Sequence, residues 1–150
     1  MKSSQSYTFS FLTSEEIDEH TVRDINGLLG QLTSRTEAKI DHRKLALALK
    51  SDMRMMVARH GSTVVGMGII CRVPRLTCKE CEIHDVVVDS FHRGKGIAGE
   101  ILSQLIAEGR SRYSADQINL TSRPDRSEAN RLYKNRGFVL RETNCYRLTL

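Results

Sequence analysis

Aromatic residues are scarce in this chain: four Tyr, four Phe and no Trp, 5% in all. Nucleic-acid surfaces interleave aromatic side chains with basic ones. No such set and no DNA- or RNA-binding motif is present, so no nucleic-acid partner is expected. Long apolar runs are missing too, and none approaches the roughly 18 residues a membrane helix needs. The polar stretch Met1 to Phe11 lacks an apolar core and a small-residue cleavage site. No signal peptide and no membrane partner are expected, and the chain reads as cytoplasmic. Prolines number two, Pro74 and Pro124, and there is no internal repeat, which excludes collagen and coiled coil. Cysteines number four: Cys71, Cys78, Cys81 and Cys145. Cys78 and Cys81 form a lone Cys-x-x-Cys, without the second pair or His-x-x-x-His that a structural zinc site wants. The redox form of the motif opens a helix, whereas this one leads into a strand. Free thiols in a reducing compartment, and no metal, are expected.

The 150 residues are 39% hydrophobic and 27% charged, the composition of one soluble globular domain, residues 1–150. A chain of this length buries roughly 70% of its unfolded surface without a staple. The net charge is +5, and it is uneven. Arg123, Arg126, Arg131, Lys134, Arg136, Arg141 and Arg147 face only Asp125, Glu128 and Glu142 in the same stretch, which therefore carries +4. Such a patch suits an anionic partner, or is a solvated helix face.

Periodicity gives the elements. Tyr7 to Phe11 reads as a strand. Thr13-Ser14-Glu15-Glu16 reads as a capping box ahead of a helix that carries Ile25, Leu28, Leu29 and Leu32. Gly27 and Gly30 weaken that helix and predict a break or mobility in it. Asp41 caps a second helix with Leu45 and Leu49. Met53 to Arg59 and Thr63 to Val73 are strands joined by the turn His60-Gly61-Ser62. Cys81 to Val88 is the next strand. After a glycine-rich loop comes a helix with Ile97, Ile101, Leu102, Leu105 and Ile106 on one face. Gln117 to Thr121 is a strand, and Asp125 to Arg136 a helix ended by Gly137. Phe138 to Arg141 and Cys145 to Leu150 are expected as closing strands. The order β-α-α-β-β-β-α-β-α-β-β predicts an α+β fold with a mixed sheet of about seven strands and four helices.

The loop Asp89 to Gly99 carries the chemistry. It joins an apolar strand to a helix start, where unpaired backbone N–H groups and the helix dipole favour an anion. Glycines let a phosphate come close, and Arg93 and Lys95 add charge there. The Walker A spacing is absent. Gly94, Gly96 and Gly99 match Gly-x-Gly-x-x-Gly literally, but about five residues separate them from the strand end. Ile118-Asn119-Leu120-Thr121 also supplies no acid for a ribose.

Arg93-x-x-Gly96-x-Ala98 after a Val-rich strand resembles the pyrophosphate loop of the GNAT family of N-acetyltransferases. Asn130 to Phe138 is similar to that family's second signature, Asn-x-x-Tyr-x-x-x-Gly-Phe. Ile83-His84-Asp85-Val86-Val87-Val88 resembles the corresponding strand of glucosamine-6-phosphate N-acetyltransferases, whose substrate is not carried over. The resemblance implies a GNAT fold and transfer of an acetyl group from acetyl-CoA to a primary amine, by direct attack in a ternary complex. It implies that the backbone of Val86, Val87 and Val88 pairs with the pantetheine arm. Arg93, Gly94, Lys95, Gly96, Ile97 and Ala98 then hold the pyrophosphate, Asn130 contacts CoA, and Tyr133 contacts CoA and protonates the departing thiolate. Asn130 and Tyr133 share a helix face, and a tyrosine is protonated at neutral pH. Glu82 and His84 share one side of their strand, with Asp85 on the other; either one, or water, can serve as base. The acceptor pocket is expected between roughly Ile25 and Lys50 and at Arg141 to Arg147. The acceptor is expected to be a small amine, with an anionic one favoured by the basic stretch. Homodimers are common in the family. A different class of protein, an acyl-CoA sensor without turnover, shares the same features.

Overall fold

Residues 6–33 and 39–150 are described in this structure, a computed structural model. The chain forms two compact units, Met1–Leu120 and Thr121–Leu150. In the first, runs of Val, Ile and Met build one sheet from β1 (Tyr7–Phe11), β2 (Met53–His60), β3 (Thr63–Val73), β4 (Glu80–Val88) and β5 (Gln117–Leu120). The strands lie in chain order across the sheet. Those from β1 to β4 pair antiparallel, and β5 joins β4 in parallel. The helices of this unit are α1 (Glu19–Leu32), α2 (His42–Leu49) and α3 (Ile97–Ser111); α4 (Ser127–Asn135) belongs to the second unit.

Helices cover both faces of the sheet. Ile25, Leu28 and Leu45, from α1 and α2, share a core with Met55, Val57, Met67 and Val87. On the other face α3 comes so close to β3 that a Cβ on Gly68 would sit 2.9 Å from Ile101 and from Leu105. Burial on both sides explains why β2, β3 and the end of β4 read as apolar runs rather than as clean alternation.

Three expectations are corrected. The Thr13–Glu16 box does form, with the Glu16 carboxylate accepting from the Thr13 N–H and hydroxyl at 2.8 Å each. It closes only the short 3-10 turn Ser14–Glu16. Ile17 then extends to bury its side chain, and α1 starts after Asp18, whose carboxylate caps the Thr21 N–H at 2.7 Å. Secondly, α1 runs unbroken through Gly27 and Gly30. Burial of Ile25 and Leu28 outweighs about 1 kcal/mol per glycine. Thirdly, among the described residues the sheet has five strands, not seven. Neither Phe138 to Arg141 nor Cys145 to Leu150 enters a ladder, and Val139, Leu140, Tyr146, Leu148 and Leu150 are exposed. Apolar alternation makes a segment fit for a strand, but strand propensity is set by context more than by residue type. The expected acceptor wall from Ile25 to Lys50 includes residues 34–38, which lie outside the described residues.

Candidate active site

An extra residue in β4 shapes the site. Met67 faces Val87 and Ile69 faces His84, so two steps on β3 oppose three on β4. This is a β-bulge, and Asp85 within it takes a φ of 52°. The bulge breaks the alternation: His84 and Asp85 are both exposed, where the strand pattern put them on opposite sides. The parallel ladder with β5 ends at Ile83 and Leu120. From His84 to Val88 the β5-side edge of β4 therefore has no ladder partner among the described residues. Its backbone donors and acceptors can pair with an extended ligand. The side chains of Val86, Val87 and Val88 are buried, so these residues offer a ligand only main-chain groups.

Before the bulge, Glu82 and His84 share a face as their spacing predicts. His84 Nε2 lies 3.2 Å from Glu82 Oε2, and both side chains are partly exposed. The two candidate bases lie side by side at the strand surface.

Past Val88 the chain turns on Asp89. The Asp89 N–H donates to the Val65 carbonyl at 2.8 Å, and its carboxylate accepts the Phe91 N–H at 3.0 Å. Arg93 Nε donates back to the Val88 carbonyl at 3.0 Å. Gly94 and Gly96 have φ of 74° and 78°, the left-handed backbone that glycine adopts without strain. Gly96 is the N-cap of α3, and no side chain caps it. The first N–H groups of a 15-residue helix are thus left for a ligand, with the positive dipole end behind them. Ile97 is buried, so it too offers only its backbone. Ala98 follows in the first turn.

Two elements far away in sequence brace this loop. Lys95 Nζ donates to the Tyr7 hydroxyl at 3.2 Å, and that hydroxyl is 3.0 Å from His92 Nδ1. The His60 ring packs 5.5 Å from Tyr7 and 5.4 Å from His92. From α1, the Gln31 amide donates to Asp89 Oδ2 at 2.8 Å and accepts the Ser90 N–H at 3.0 Å. Sequence reasoning missed both. Tyr7 and His92 are 85 residues apart, and Gln31 and Asp89 are 58 apart; no local pattern marks either pair.

The second unit carries the other candidates on α4. Asn130 Nδ2 donates to the Arg123 carbonyl at 2.9 Å and ties down the turn before the helix. Tyr133 is buried, with its ring edge-on to Phe138. Gly137 ends the helix, and the Phe138 N–H returns to the Tyr133 carbonyl at 3.0 Å, which accounts for the Tyr-x-x-x-Gly-Phe spacing. Burial pushes the Tyr133 hydroxyl pKa up, against a smaller opposing effect of the Arg126 charge.

A profile of the Acetyltransferase (GNAT) family matches residues 17–138, more than half of the chain. The chain belongs to the GNAT family. It is 35% identical over 81 residues to the N-alpha-acetyltransferase RimI of Mycobacterium tuberculosis, a match covering 54% of this chain and 49% of that protein. The chain thus spans about half the length of the curated relative it matches. Among solved structures, an acetyltransferase of Trypanosoma brucei superposes with a TM-score of 0.78 at 23% identity, covering 97% of this chain and 100% of that one. Glucosamine-6-phosphate N-acetyltransferase of Arabidopsis thaliana superposes with a TM-score of 0.76 at 19% identity, covering 95% and 98%. These likenesses establish the GNAT fold. No described helix is long and apolar enough to cross a membrane.

Proposed function

We propose that this GNAT chain is an N-acetyltransferase that moves an acetyl group from acetyl-CoA to a primary amine of a small molecule. The observation that carries the reading is a strand edge with no ladder partner among the described residues, joined by a glycine-rich loop to an uncapped helix start. The unpaired edge of β4 beyond Ile83 leads through a loop with left-handed Gly94 and Gly96 to the uncapped N-terminus of α3. The strand edge suits the amide-bearing arm of the cofactor. The loop, with Arg93 and Lys95, suits its pyrophosphate.

Bound acetyl-CoA supplies an activated thioester. The residues supply the proton traffic and the charge stabilisation. The amine must lose a proton as its nitrogen bonds the acyl carbon; the Glu82–His84 pair, or water beside it, takes that proton. Main-chain N–H groups near Val87 and Val88 stabilise the carbonyl oxygen as it gains charge. The carbon–sulfur bond breaks, and the Tyr133 hydroxyl gives its proton to the leaving thiolate. A tyrosine is protonated at neutral pH, as a proton donor must be, and burial keeps this one so. Asn130 contributes a CoA contact from the same helix. Direct attack is favoured over an acetyl-cysteine, because none of the four cysteines sits in a recognisable nucleophile motif, and burial disfavours the thiolate at Cys71 and Cys81.

The basic stretch from Arg123 to Arg147 supports an anionic acceptor. The RimI likeness supports a second reading, in which the acceptor is the α-amine of a polypeptide. Thiol release from acetyl-CoA, measured with small amines, phosphorylated amines and peptides with free N-termini, tests both. Turnover with one set names the acceptor class. Tight binding of acetyl-CoA with no turnover on any amine replaces the enzyme with an acyl-CoA sensor. No binding of acetyl-CoA ends the proposal.

A further inference from the structure

Asp89 is the hinge between β4 and the phosphate-binding loop, and nearly all its polar groups are occupied locally. Its N–H goes to β3 through the Val65 carbonyl; its carbonyl takes the His92 N–H at 2.9 Å; its Oδ1 takes the Phe91 N–H. What remains is Oδ2 and the following N–H, that of Ser90. Gln31 satisfies both with one planar amide. Gln31 lies in the last turn of α1, which ends at Leu32. A helix C-terminus repels anions, so a carboxylate at Asp89 is poorly placed there unless a neutral donor stands between. A glutamine is that donor and a glutamate is not.

The helix that delivers Gln31 carries two glycines near this end. Gly27 and Gly30 are exposed within its last turns, and a Cβ on either would meet nothing within 4 Å. Glycines in a helix interior lower its local stability. The docking of Gln31 thus joins a weakly stabilised helix end to the turn that sets the position of the loop.

We infer that Gln31 is a positioning residue for the phosphate-binding loop, and that α1 and the loop order each other. Ligand bound at the loop stabilises the last turns of α1, and a stiffer α1 raises the affinity at the loop. The inference rests on acetyl-CoA binding at this loop, and its test separates the two.

The test combines calorimetric titration of acetyl-CoA with amide hydrogen exchange, on the full chain. In the unchanged protein, acetyl-CoA slows exchange both in the loop around Asp89 to Ala98 and in the last turns of α1. In Gln31→Met, which keeps the side chain's length without its hydrogen bonds, the loop still responds and α1 does not. Affinity falls roughly fivefold, at the lower end of typical coupling between sites. Gln31→Glu sets a carboxylate against Asp89 and loses more, and added salt recovers part of that loss. Gly30→Ala acts in the opposite direction and tightens binding, because the helix is ordered in advance. Opposite signs in Gln31→Met and Gly30→Ala cannot come from a general loss of folding. Unchanged affinity in both, or slowed α1 exchange in Gln31→Met, overturns the inference and leaves the cofactor reading standing. Absence of any acetyl-CoA binding in the unchanged protein overturns both.

Discussion

Arg93 Nε and the Val88 carbonyl are joined by a hydrogen bond of 3.0 Å. The bond folds the loop back onto the end of β4, while the exposed guanidinium keeps further donors for a phosphate. One side chain thus braces the loop and adds charge to it. We expect Arg93→Ala to weaken acetyl-CoA binding about tenfold or more, the effect of losing a charge-assisted hydrogen bond. Arg93→Lys keeps the charge, but its compact ammonium lacks the fixed, spread donors of the guanidinium, so it recovers only part of the affinity. Calorimetric titration measures both. Full recovery by lysine would show that the Val88 bond contributes nothing to binding.

Tyr133 is held to a different criterion, turnover against affinity. Its hydroxyl is the proposed acid, so Tyr133→Phe is expected to lower kcat by about 100-fold. The affinity for acetyl-CoA should stay within about twofold. An acid stops working as pH rises through its pKa. Burial moves this pKa above the ordinary value near 10. Any alkaline fall in kcat due to Tyr133 therefore lies above about pH 10, and it disappears in the phenylalanine variant. A loss of affinity with kcat preserved would make Tyr133 a binding residue instead.

The parts of the fold that local patterning specifies were legible in the residues. The apolar periodicity of α3, the Asp41 cap of α2 and the turn His60-Gly61-Ser62 between β2 and β3 each point to one answer. So did the run from Val86 to Ala98, because a strand, a left-handed turn and a helix start each have their own residue signature. What escaped depends on partners distant in sequence. The bulge at Asp85 exists only in the pairing with β3. Tyr7 and Gln31 meet the loop only once β1 and α1 are in place. The closing strands were read from residue type alone: Phe138 to Leu150 has the residues of a hairpin, but strand propensity depends on context and these residues form no ladder.

Two kinds of glycine should respond oppositely to an added methyl group. Gly27 lies on the exposed side of α1, where a Cβ meets nothing within 4 Å. Gly27→Ala is expected to stabilise the protein by about 0.5–1 kcal/mol through the entropy of the unfolded chain. Gly68 lies under α3, with Ile101 and Leu105 each 2.9 Å from the new carbon. Gly68→Ala forces the helix off the sheet and should cost about 1–3 kcal/mol. Urea unfolding midpoints give both signs in one series. Destabilisation by Gly27→Ala would mean that the end of α1 needs its glycines for more than softness.

Part of the acid limb of stability should trace to Glu80. This carboxylate is 3% exposed at the start of β4, and accepts from Gln117 Nε2 at 2.6 Å and Arg75 Nη2 at 3.1 Å. Burial alone would raise its pKa. The hydrogen bond from Gln117, the charge and hydrogen bond of Arg75 and a bond from Asn119 outweigh it and hold the carboxyl below its ordinary value. In the unfolded chain the group titrates near 4.3. Between the folded and unfolded values the unfolded state binds more protons. The stability Glu80 contributes is therefore complete above the unfolded value and is lost as pH falls through the folded one. Glu80→Gln should cost about 1–2 kcal/mol at pH 7. Unfolding in urea at pH 7, 5 and 3.5 should show the gap between variant and parent narrowing only at the lowest pH. A gap that stays constant down to pH 3.5 would place the acid sensitivity in another group.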